Sequence, residues 1–376
     1  MQYRPFGNLG FEVSALGAGL MRMPIEGDDS SKLNMQECVR MVHREIELGI
    51  NYFDTAYVYH GGNSETIVAA AMDANMRQKV KIATKLPTSI PQDKWEETLD
   101  TSLSRMNTDY IDFYLLHGIR WNWFEQNGDA AVEFLEKMVE KGKIRYPSFS
   151  FHDSPEAFKK VIDKYKFKMA QVQFNFMDEN ATDQAALDGI KYAAQNGVNI
   201  VVMEPLRGGA LAGAVPASVQ KLYDAFPTKR TSTEWALRYV YDIPEVTVVL
   251  SGMSTMEQIE ENAAYFTDAA PNSMSEAEHQ LIAQVRDEYL SRVKIGCTGC
   301  NYCQPCPQGV LIPDQLRGYD RAFMFDNMAD IKRTYGFMKR REGEASRCIE
   351  CGICENACPQ HLPIMEHLKS IVAAAE

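Results

Sequence analysis

The stretch Ile111-Asp-Phe-Tyr-Leu-Leu-His117 reads as a buried β-strand that ends in a polar side chain. Its apolar residues are nearly continuous, a pattern typical of a parallel strand covered on both faces. Similar apolar segments recur along the first three quarters of the chain, separated by helical patterns. The predicted strands are Ser14–Gly19, Tyr52–Thr55, Lys81–Lys85, Ile111–His117, Ile144–Phe151, Ala170–Phe176, Val198–Glu204 and Val246–Ser251.

Helical patterns fill most of the intervals: Asn34–Leu48, Gln92–Arg105, Ala131–Lys141, Ser154–Tyr165, Thr182–Gln195 and Ser232–Tyr241. Strands that each lead into a helical region predict an α/β fold, the (β/α)8 TIM barrel. A doubly wound sheet is the competing fold, and it would carry G-x-G-x-x-G after its first strand. The sequence there, Gly17-Ala-Gly-Leu-Met-Arg22, lacks that spacing. An N-terminal hairpin turning at Asn8–Gly10 is expected to close the barrel floor.

Eight of the nine cysteines stand in two tight runs near the C-terminus. The run over 348–358 has the bacterial ferredoxin spacing C-x2-C-x2-C-x3-C-P, and the run over 297–306 is one residue shorter before its last cysteine. Such loops predict two 4Fe–4S clusters, each taking three thiolates from one run and a fourth from the other. Zinc, a single cluster and free thiols remain the alternatives. The ligand sets implied by ferredoxin pairing are Cys297, Cys300, Cys303 and Cys358, and Cys348, Cys351, Cys354 and Cys306.

The cysteine runs also divide the chain. We expect the barrel over 1–285 and a small α-helical, ferredoxin-like iron–sulfur domain over 286–376, with a linker over 269–276. The ninth cysteine, Cys38, lies in a helical pattern and is expected to be a small buried core residue.

Composition narrows the classes of partner. The 376 residues are 45% hydrophobic and 24% charged, which is ordinary globular material. A net charge of −12 argues against nucleic acid and anionic membranes as partners. No apolar run approaches the roughly 18 residues of a membrane span. The opening residues lack a signal-peptide pattern, and thiolate clusters suit a reducing compartment, so a cytoplasmic location is expected.

Polar residues follow the predicted strands, where a barrel builds its active site: Asp54, Lys85, His117, His152, Asn175 and Glu204. Six segments share an order along the chain: Arg4–Gly17, Asn51–Tyr59, Gly62–Glu65, Ile82–Lys85, Tyr110–His117 and Val202–Gly209. Together they resemble the aldo/keto reductase family, in particular its branch with a C-terminal ferredoxin-like extension. The resemblance covers essentially the whole chain.

The resemblance implies a catalytic tetrad of Asp54, Tyr59, Lys85 and His117. Tyr59 would give a proton to the oxygen of a carbonyl substrate. A phenol holds its proton tightly at neutral pH, so a nearby Lys85 ammonium would be needed to stabilise the phenolate. Asp54 would hold Lys85 by an ion pair, and His117 would orient the substrate oxygen. Considered singly, each residue could equally be a rim aromatic or part of a structural ion pair.

The resemblance also implies a nicotinamide cofactor, NAD(P)(H). Its expected contacts are Ser150, Gln173, Met203, Leu206, Gly208, Gly209, Ser251, Gly252, Ser254, Gln258 and Asn262. The last five of these open the helix after the final strand, whose N-terminus suits phosphate. Relatives that prefer NADPH place basic residues where this chain has Gly252 and Gln258. Charge-assisted contacts to a 2′-phosphate would be missing there, which leaves NADH as an open alternative.

Two further segments carry expectations. Residues 119–124, with Trp121 and Trp123, are expected on a rim loop, either as an apolar wall of the substrate pocket or as loop packing. Pro147 lies within a predicted strand and cannot donate to a ladder, so a local irregularity is expected there.

The leading functional interpretation is a nicotinamide-dependent oxidoreductase that interconverts a small-molecule carbonyl and an alcohol. The alternative is an electron-transfer or redox-sensing iron–sulfur protein, in which the barrel serves a partner or a flavin-linked reaction. Hydride transfer moves two electrons together whereas each cluster passes one, so coupling the two would need a converter or an electron-transfer partner.

Overall fold

A computed structural model describes residues 1–268 and 270–376. Ala269, where the predicted linker begins, lies outside the described residues. The chain forms two compact units: Met1–Gly209 with Thr233–His279, and Ala210–Ser232 with Gln280–Glu376. The partition into 1–285 and 286–376 stays a prediction.

Ten strands lie in the described part of the chain, and eight of them form one closed parallel barrel in the order β10-β3-β4-β5-β6-β7-β8-β9. The other two pair antiparallel, with Tyr3 opposite Ser14, as the predicted N-terminal hairpin. The strands are β1 Tyr3–Pro5, β2 Glu12–Ser14, β3 Leu16–Gly19, β4 Tyr52–Asp54, β5 Lys81–Pro87, β6 Ile111–Ile119, β7 Ile144–Phe151, β8 Met169–Gln173, β9 Asn199–Met203 and β10 Val246–Ser251. The predicted barrel is therefore confirmed.

Helices follow most of the barrel strands and make up most of the C-terminal region. Those in the described ranges are α1 Met35–Glu47, α2 Ser64–Ala71, α3 Ala74–Lys79, α4 Trp95–Met106, α5 Trp121–Glu140, α6 Pro155–Lys164, α7 Ala186–Gln195, α8 Ala217–Ala225, α9 Ser232–Asp242, α10 Met256–Tyr265, α11 Glu276–Ser291, α12 Ile312–Met324, α13 Ala329–Arg340, α14 Ile353–Ala357 and α15 Ile364–Ala375. Across residues 1–268 and 270–376, no helix combines the length and apolar character needed to cross a membrane.

The hairpin closes the barrel floor with an aromatic side chain. Phe6 is fully buried, and its ring centroid lies 4.6 Å from that of Phe113 on β6. Tyr52 on β4 and Val248 on β10 belong to the same core cluster. Inward-facing residues of several strands thus fill the barrel interior, so polar side chains that take part in chemistry are confined to its rim.

Three local predictions were wrong. The residues predicted as a rim loop, Trp121 to Phe124, form the first turn of α5, where Phe124 is fully buried and Trp123 donates from Nε1 to the Thr88 carbonyl over 3.2 Å. The strand predicted to reach Phe176 ends at Gln173. Strand β7 continues through Pro147, and the irregularity in its pairing with β6 lies between Leu116 and Ile119.

The C-terminal unit has its own small core. Side chains of α12, α13 and α15 pack with the cysteine runs around Val310 and Leu316, both of which are buried. Before the first run, Asp320 on α12 accepts hydrogen bonds from the backbone N–H groups of Lys294, Ile295 and Gly296 over 2.7 to 3.0 Å. This carboxylate fixes the backbone just ahead of Cys297.

Candidate active site

A buried ion pair lies at the C-terminal end of the barrel strands. Lys85 on β5 and Asp54 at the end of β4 are 1% and 5% exposed, and Lys85 Nζ lies 2.6 Å from Asp54 Oδ1. The same ammonium donates to the Thr55 carbonyl over 2.7 Å and to Tyr59 Oη over 3.3 Å. An ammonium has three N–H donors, so this one is fully used within the site.

Tyr59 and His117 form the solvent-facing part of the site. Both side chains are only partly buried, whereas Asp54 and Lys85 are closed off. The two rings meet edge to face with their centroids 5.9 Å apart. A small molecule at the rim can therefore reach the phenol and the imidazole, but not the ion pair behind them.

Burial and charge set the protonation states. Burial alone would lower the pKa of Lys85, but the Asp54 carboxylate and Tyr59 outweigh it and raise that pKa above its ordinary value. Burial, the Lys85 charge and His152 lower the pKa of His117 to about 3. The site thus pairs a charged ammonium with a neutral imidazole at physiological pH.

Gln171 belongs to this site, and the sequence reasoning missed it. This residue of β8 is 1% exposed and donates from Nε2 to the second oxygen of Asp54, Oδ2, over 2.7 Å. Residues two apart on a strand share a face, so Gln171 and Gln173 were equal candidates from alternation alone. The predicted residue, Gln173, instead donates to Asp178 over 3.1 Å.

Asp178 joins the ends of β8 and β9. It accepts from Asn175 Nδ2 over 2.7 Å and pairs with Arg207 Nη1 at 2.5 Å. Arg207 lies between Leu206 and Gly208, two residues predicted to contact the cofactor, and has a left-handed backbone with φ of 50°. Gly208 and Gly209 share this left-handed backbone, which suits glycine.

Arg22 lies between this turn and the loop after β10. Its Nη2 is 3.8 Å from Glu204 Oε1, and a Cβ on Gly208 would come within 3.6 Å of that nitrogen. A Cβ on Gly252 would come within 3.3 Å of the Arg22 side chain. The loop after β3 therefore brings a cation beside two glycines predicted to bind the cofactor.

The other residues predicted to bind the cofactor lie at the C-terminal ends of their strands, in the loops that follow or on α10. Ser150 accepts a hydrogen bond from the Gly118 backbone over 2.7 Å, and Ser251 accepts from Asn262 over 2.8 Å. Gln258 accepts from the Ser254 backbone over 2.7 Å, while its own N–H donates to Thr255 at the start of α10. Met203, the last residue of β9, is partly buried. The hydroxyls of Ser150 and Ser251 and the amides of Gln258 and Asn262 thus have local partners, and Gln258 helps to cap a helix.

The cysteines of the C-terminal unit line two cavities. One cavity is bordered by Cys297, Cys300, Cys303 and Cys358. The other is bordered by Cys306, Cys348, Cys351 and Cys354, and also by Cys303. The first cavity therefore gathers three thiols of one run and one of the other, whereas the second gathers three of one run and two of the other, with Cys303 bordering both.

A site for a single ion would gather its ligands closely. Four thiolates at about 2.3 Å from zinc would hold their sulfurs within roughly 4 Å of one another. Within the described ranges, no group of three or more His, Cys, Asp or Glu side chains is arranged to hold one metal ion. The donor set and the two cavities fit iron–sulfur cubanes, which hold four thiolates further apart.

Comparison with known proteins agrees with this architecture. The profile described as "Aldo/keto reductase family" matches residues 15–283, and the profile described as "4Fe-4S dicluster domain" matches residues 296–362. The uncharacterized oxidoreductase YqkF of Bacillus subtilis is 28% identical over 293 residues, covering 70% of this chain and 90% of that protein. The L-galactose dehydrogenase of Arabidopsis thaliana is 27% identical over 292 residues, covering 71% and 89%.

A solved structure has the same barrel. The holo form of aldo-keto reductase AKR11C1 from Bacillus halodurans superposes with a TM-score of 0.64 at 27% identity. The match covers 76% of this chain and 96% of that one. A barrel of this kind and a C-terminal iron–sulfur domain therefore occur together in one chain.

Proposed function

The chain belongs to the aldo/keto reductase family, and from this premise we propose that it interconverts a carbonyl and an alcohol with Tyr59 as the proton donor. It is an oxidoreductase that depends on NAD(P)H and carries an iron–sulfur domain. The hydrogen bond from Lys85 to Tyr59 Oη carries this proposal, because it ties a solvent-facing phenol to a buried cation.

The proton transfer follows from charge. As Tyr59 releases its proton to the substrate oxygen, negative charge builds on Oη, 3.3 Å from the Lys85 ammonium. Asp54 keeps that ammonium charged and fixed in place. In the reverse direction, the phenolate takes the proton from the alcohol.

His117 orients the substrate. Its low pKa keeps the imidazole neutral, so one ring nitrogen donates to the substrate oxygen while the other is unprotonated. The edge-to-face arrangement with Tyr59 brings both donors to one side of the site. We expect the carbonyl oxygen to lie between them.

The cofactor supplies the hydride when it is bound. We propose that Gly208, Gly209 and Gly252 let a pyrophosphate approach the backbone, with Arg22 as a nearby cation. Arg22 partly offsets the lack of charge at Gly252 and Gln258. The choice between NADH and NADPH then depends on whether Arg22 reaches a 2′-phosphate.

We also propose two 4Fe–4S clusters, with the ligand sets given above, and a location in the cytoplasm. The second candidate function, electron transfer through the clusters, is favoured by one observation. Cys300 and Cys351, one in each ligand set, are exposed, so a partner could approach both clusters. Stopped-flow spectra under anaerobic conditions test it: bleaching of the cluster absorbance by NAD(P)H on the turnover timescale would show that the clusters take part in turnover.

The main experiment compares Tyr59→Phe with the wild type on a panel of aldehydes, ketones and sugars, using NADH and NADPH in turn. Loss of the proton donor should lower kcat on the order of 10²- to 10⁴-fold and leave cofactor binding nearly unchanged. Tyr52→Phe is the matched control, because the Tyr52 hydroxyl is buried and has no hydrogen-bond partner among the described residues. Retained turnover in Tyr59→Phe would refute the assignment of the proton donor.

A further inference from the structure

We propose that Glu65 and Arg105 form a positioning pair that holds Tyr59 against Lys85. The proposal rests on the function proposed above and concerns residues that touch neither substrate nor cofactor. Buried and partly buried hydrogen bonds link the loop over residues 57–62 to strand β5 through these two side chains.

Glu65 is the first link. Its side chain is fully buried in the first turn of α2, three residues after the loop. Its Oε1 accepts from Thr84 Oγ1 over 2.7 Å, and Thr84 precedes Lys85 on β5. One carboxylate oxygen therefore fixes α2 to the strand that carries the catalytic ammonium.

Arg105 on α4 is the second link. Its Nη1 donates to Oε2 of Glu65 and to the Tyr57 carbonyl, both over 3.1 Å. Its guanidinium lies over the Tyr57 ring, 4.4 Å from the centroid. The pair thus reaches the backbone two residues before Tyr59.

The loop needs such support because its backbone is unusual. His60, Gly61 and Gly62 have φ values of 52°, 63° and 96°, three successive left-handed residues. A non-glycine residue such as His60 persists in this sparsely populated region only when its surroundings fix it. A Cβ on Gly62 would come within 3.1 Å of Arg105 Nη2, so the loop is closely packed on the guanidinium.

The opposite side of the loop is held less firmly. His60 Nδ1 lies 2.7 Å from the Ser30 carbonyl, and Asn63 Nδ2 donates to the Ser31 carbonyl over 2.9 Å. Both contacts are exposed. Loss of the Arg105 contacts would therefore leave the loop with its own short-range backbone bonds, such as Tyr59 N–H to the Ala56 carbonyl, and with these exposed side-chain contacts. The contact between Tyr59 Oη and Lys85 Nζ would then loosen.

The chain offers a matched control pair. Arg77 Nη1 lies 2.9 Å from Asp112 Oδ2, and the two residues are 7% and 0% exposed. Asp112 is near the start of β6, at the opposite end of the barrel from Tyr59. Arg77→Met should therefore cost at least as much thermal stability as Arg105→Met without disturbing the tyrosine loop.

The test compares Arg105→Met, Arg105→Lys and Arg77→Met as full-length proteins with their clusters. We expect Arg105→Met to lower kcat on the order of 10²-fold, as displacement of a reacting group by about 1 Å does. Its cofactor Kd, measured by fluorescence, should stay close to that of the wild type. Arg105→Lys keeps a positive charge beside Glu65 and should therefore retain most of the wild-type kcat. Arg77→Met should have the wild-type kcat.

Two results would overturn the proposal: unchanged kcat in Arg105→Met, or equal losses of kcat in Arg105→Met and Arg77→Met. A crystal structure of Arg105→Met gives a readout that does not depend on activity, since the separation of Tyr59 Oη and Lys85 Nζ should exceed hydrogen-bond distance. If the wild type reduces no carbonyl, the proposed function fails, and that separation still decides whether the pair positions Tyr59.

Discussion

Lys85 donates from Nζ to Oδ1 of Asp54 over 2.6 Å, and both side chains are closed off from solvent. A charge in such a place is stabilised by its ionic partner and by the few polar groups that contact it, because little water remains to solvate it. The ion pair therefore contributes to the stability of the fold as well as to catalysis, and substitutions can separate these two roles.

The first prediction separates them by a double substitution. Lys85→Met should abolish turnover and lower the free energy of unfolding by about 3–5 kcal/mol, since it leaves a buried carboxylate unpaired. Adding Asp54→Asn should restore much of the stability and none of the activity. Denaturant unfolding and a carbonyl assay on the three variants check this. Equal stability of the single and double variants would contradict it.

The second prediction concerns pH. Because the folded-state pKa of His117 is lowered to about 3, its protonation adds no limb to kcat/KM between about pH 5 and 8. In the unfolded chain His117 takes up a proton below its ordinary pKa of about 6.5, whereas in the folded chain it stays neutral. The contribution of His117 to the free energy of unfolding is therefore fully present above about pH 6.5 and is lost as pH falls toward about 3. The difference in Tm between His117→Asn and the wild type should therefore shift in favour of the variant when the pH is lowered from 8 to 5. A pH-independent difference in Tm would argue against a buried neutral His117.

The third prediction concerns Glu45 on α1. Its side chain is buried, its Oε2 has no hydrogen-bond partner in the described ranges, and burial raises its pKa to about 8. Because the pKa is raised, the contribution of protonated Glu45 to the free energy of unfolding is fully present below the ordinary value of 4.5 and is lost as pH rises through about 8. Glu45→Gln should raise Tm at pH 8.5 and change it little at pH 5. The same shift at both pH values would show that Glu45 does not titrate in this range.

The fourth prediction tests the cluster ligands. Cys351→Ser should lower the iron content from about eight to about four atoms per chain, because one of the two proposed clusters loses a thiolate. Cys38→Ser is the matched control, since Cys38 is buried on α1 and borders neither cysteine cavity. Iron analysis and cluster absorbance under anaerobic conditions measure the outcome. An unchanged iron content would show that the proposed ligand sets are wrong.

The sequence predicted what depends on local pattern. Continuous apolar runs marked the barrel strands, and the polar residue after a run marked the rim, so Asp54, Lys85 and His117 could be expected together. Cysteine spacing likewise predicted that most thiols of one run lie together, because the loops between them are short. It did not predict that Cys303 borders both cavities, and the ligand sets stay a prediction.

What the sequence could not predict depends on contacts between distant segments. Alternation puts Gln171 and Gln173 on one face, and only the closed barrel shows that Gln171 reaches Asp54. Arg22 stands far along the chain from Gly252, so its position beside that glycine follows from closure of the barrel between β10 and β3. Trp121 to Phe124 carry no strong helix-start signal, and tertiary packing of Phe124 draws them into α5.

The barrel order divides its rim into two arcs. Asp54, Lys85 and His117 belong to the neighbours β4, β5 and β6, whereas the cofactor residues proposed at Met203 and Ser251 end the neighbours β9 and β10. Substitutions in the loops of the first arc can change which substrate binds, while the second arc keeps its contacts with the cofactor. Duplicated copies of such a gene could thus acquire new substrates without rebuilding their redox chemistry.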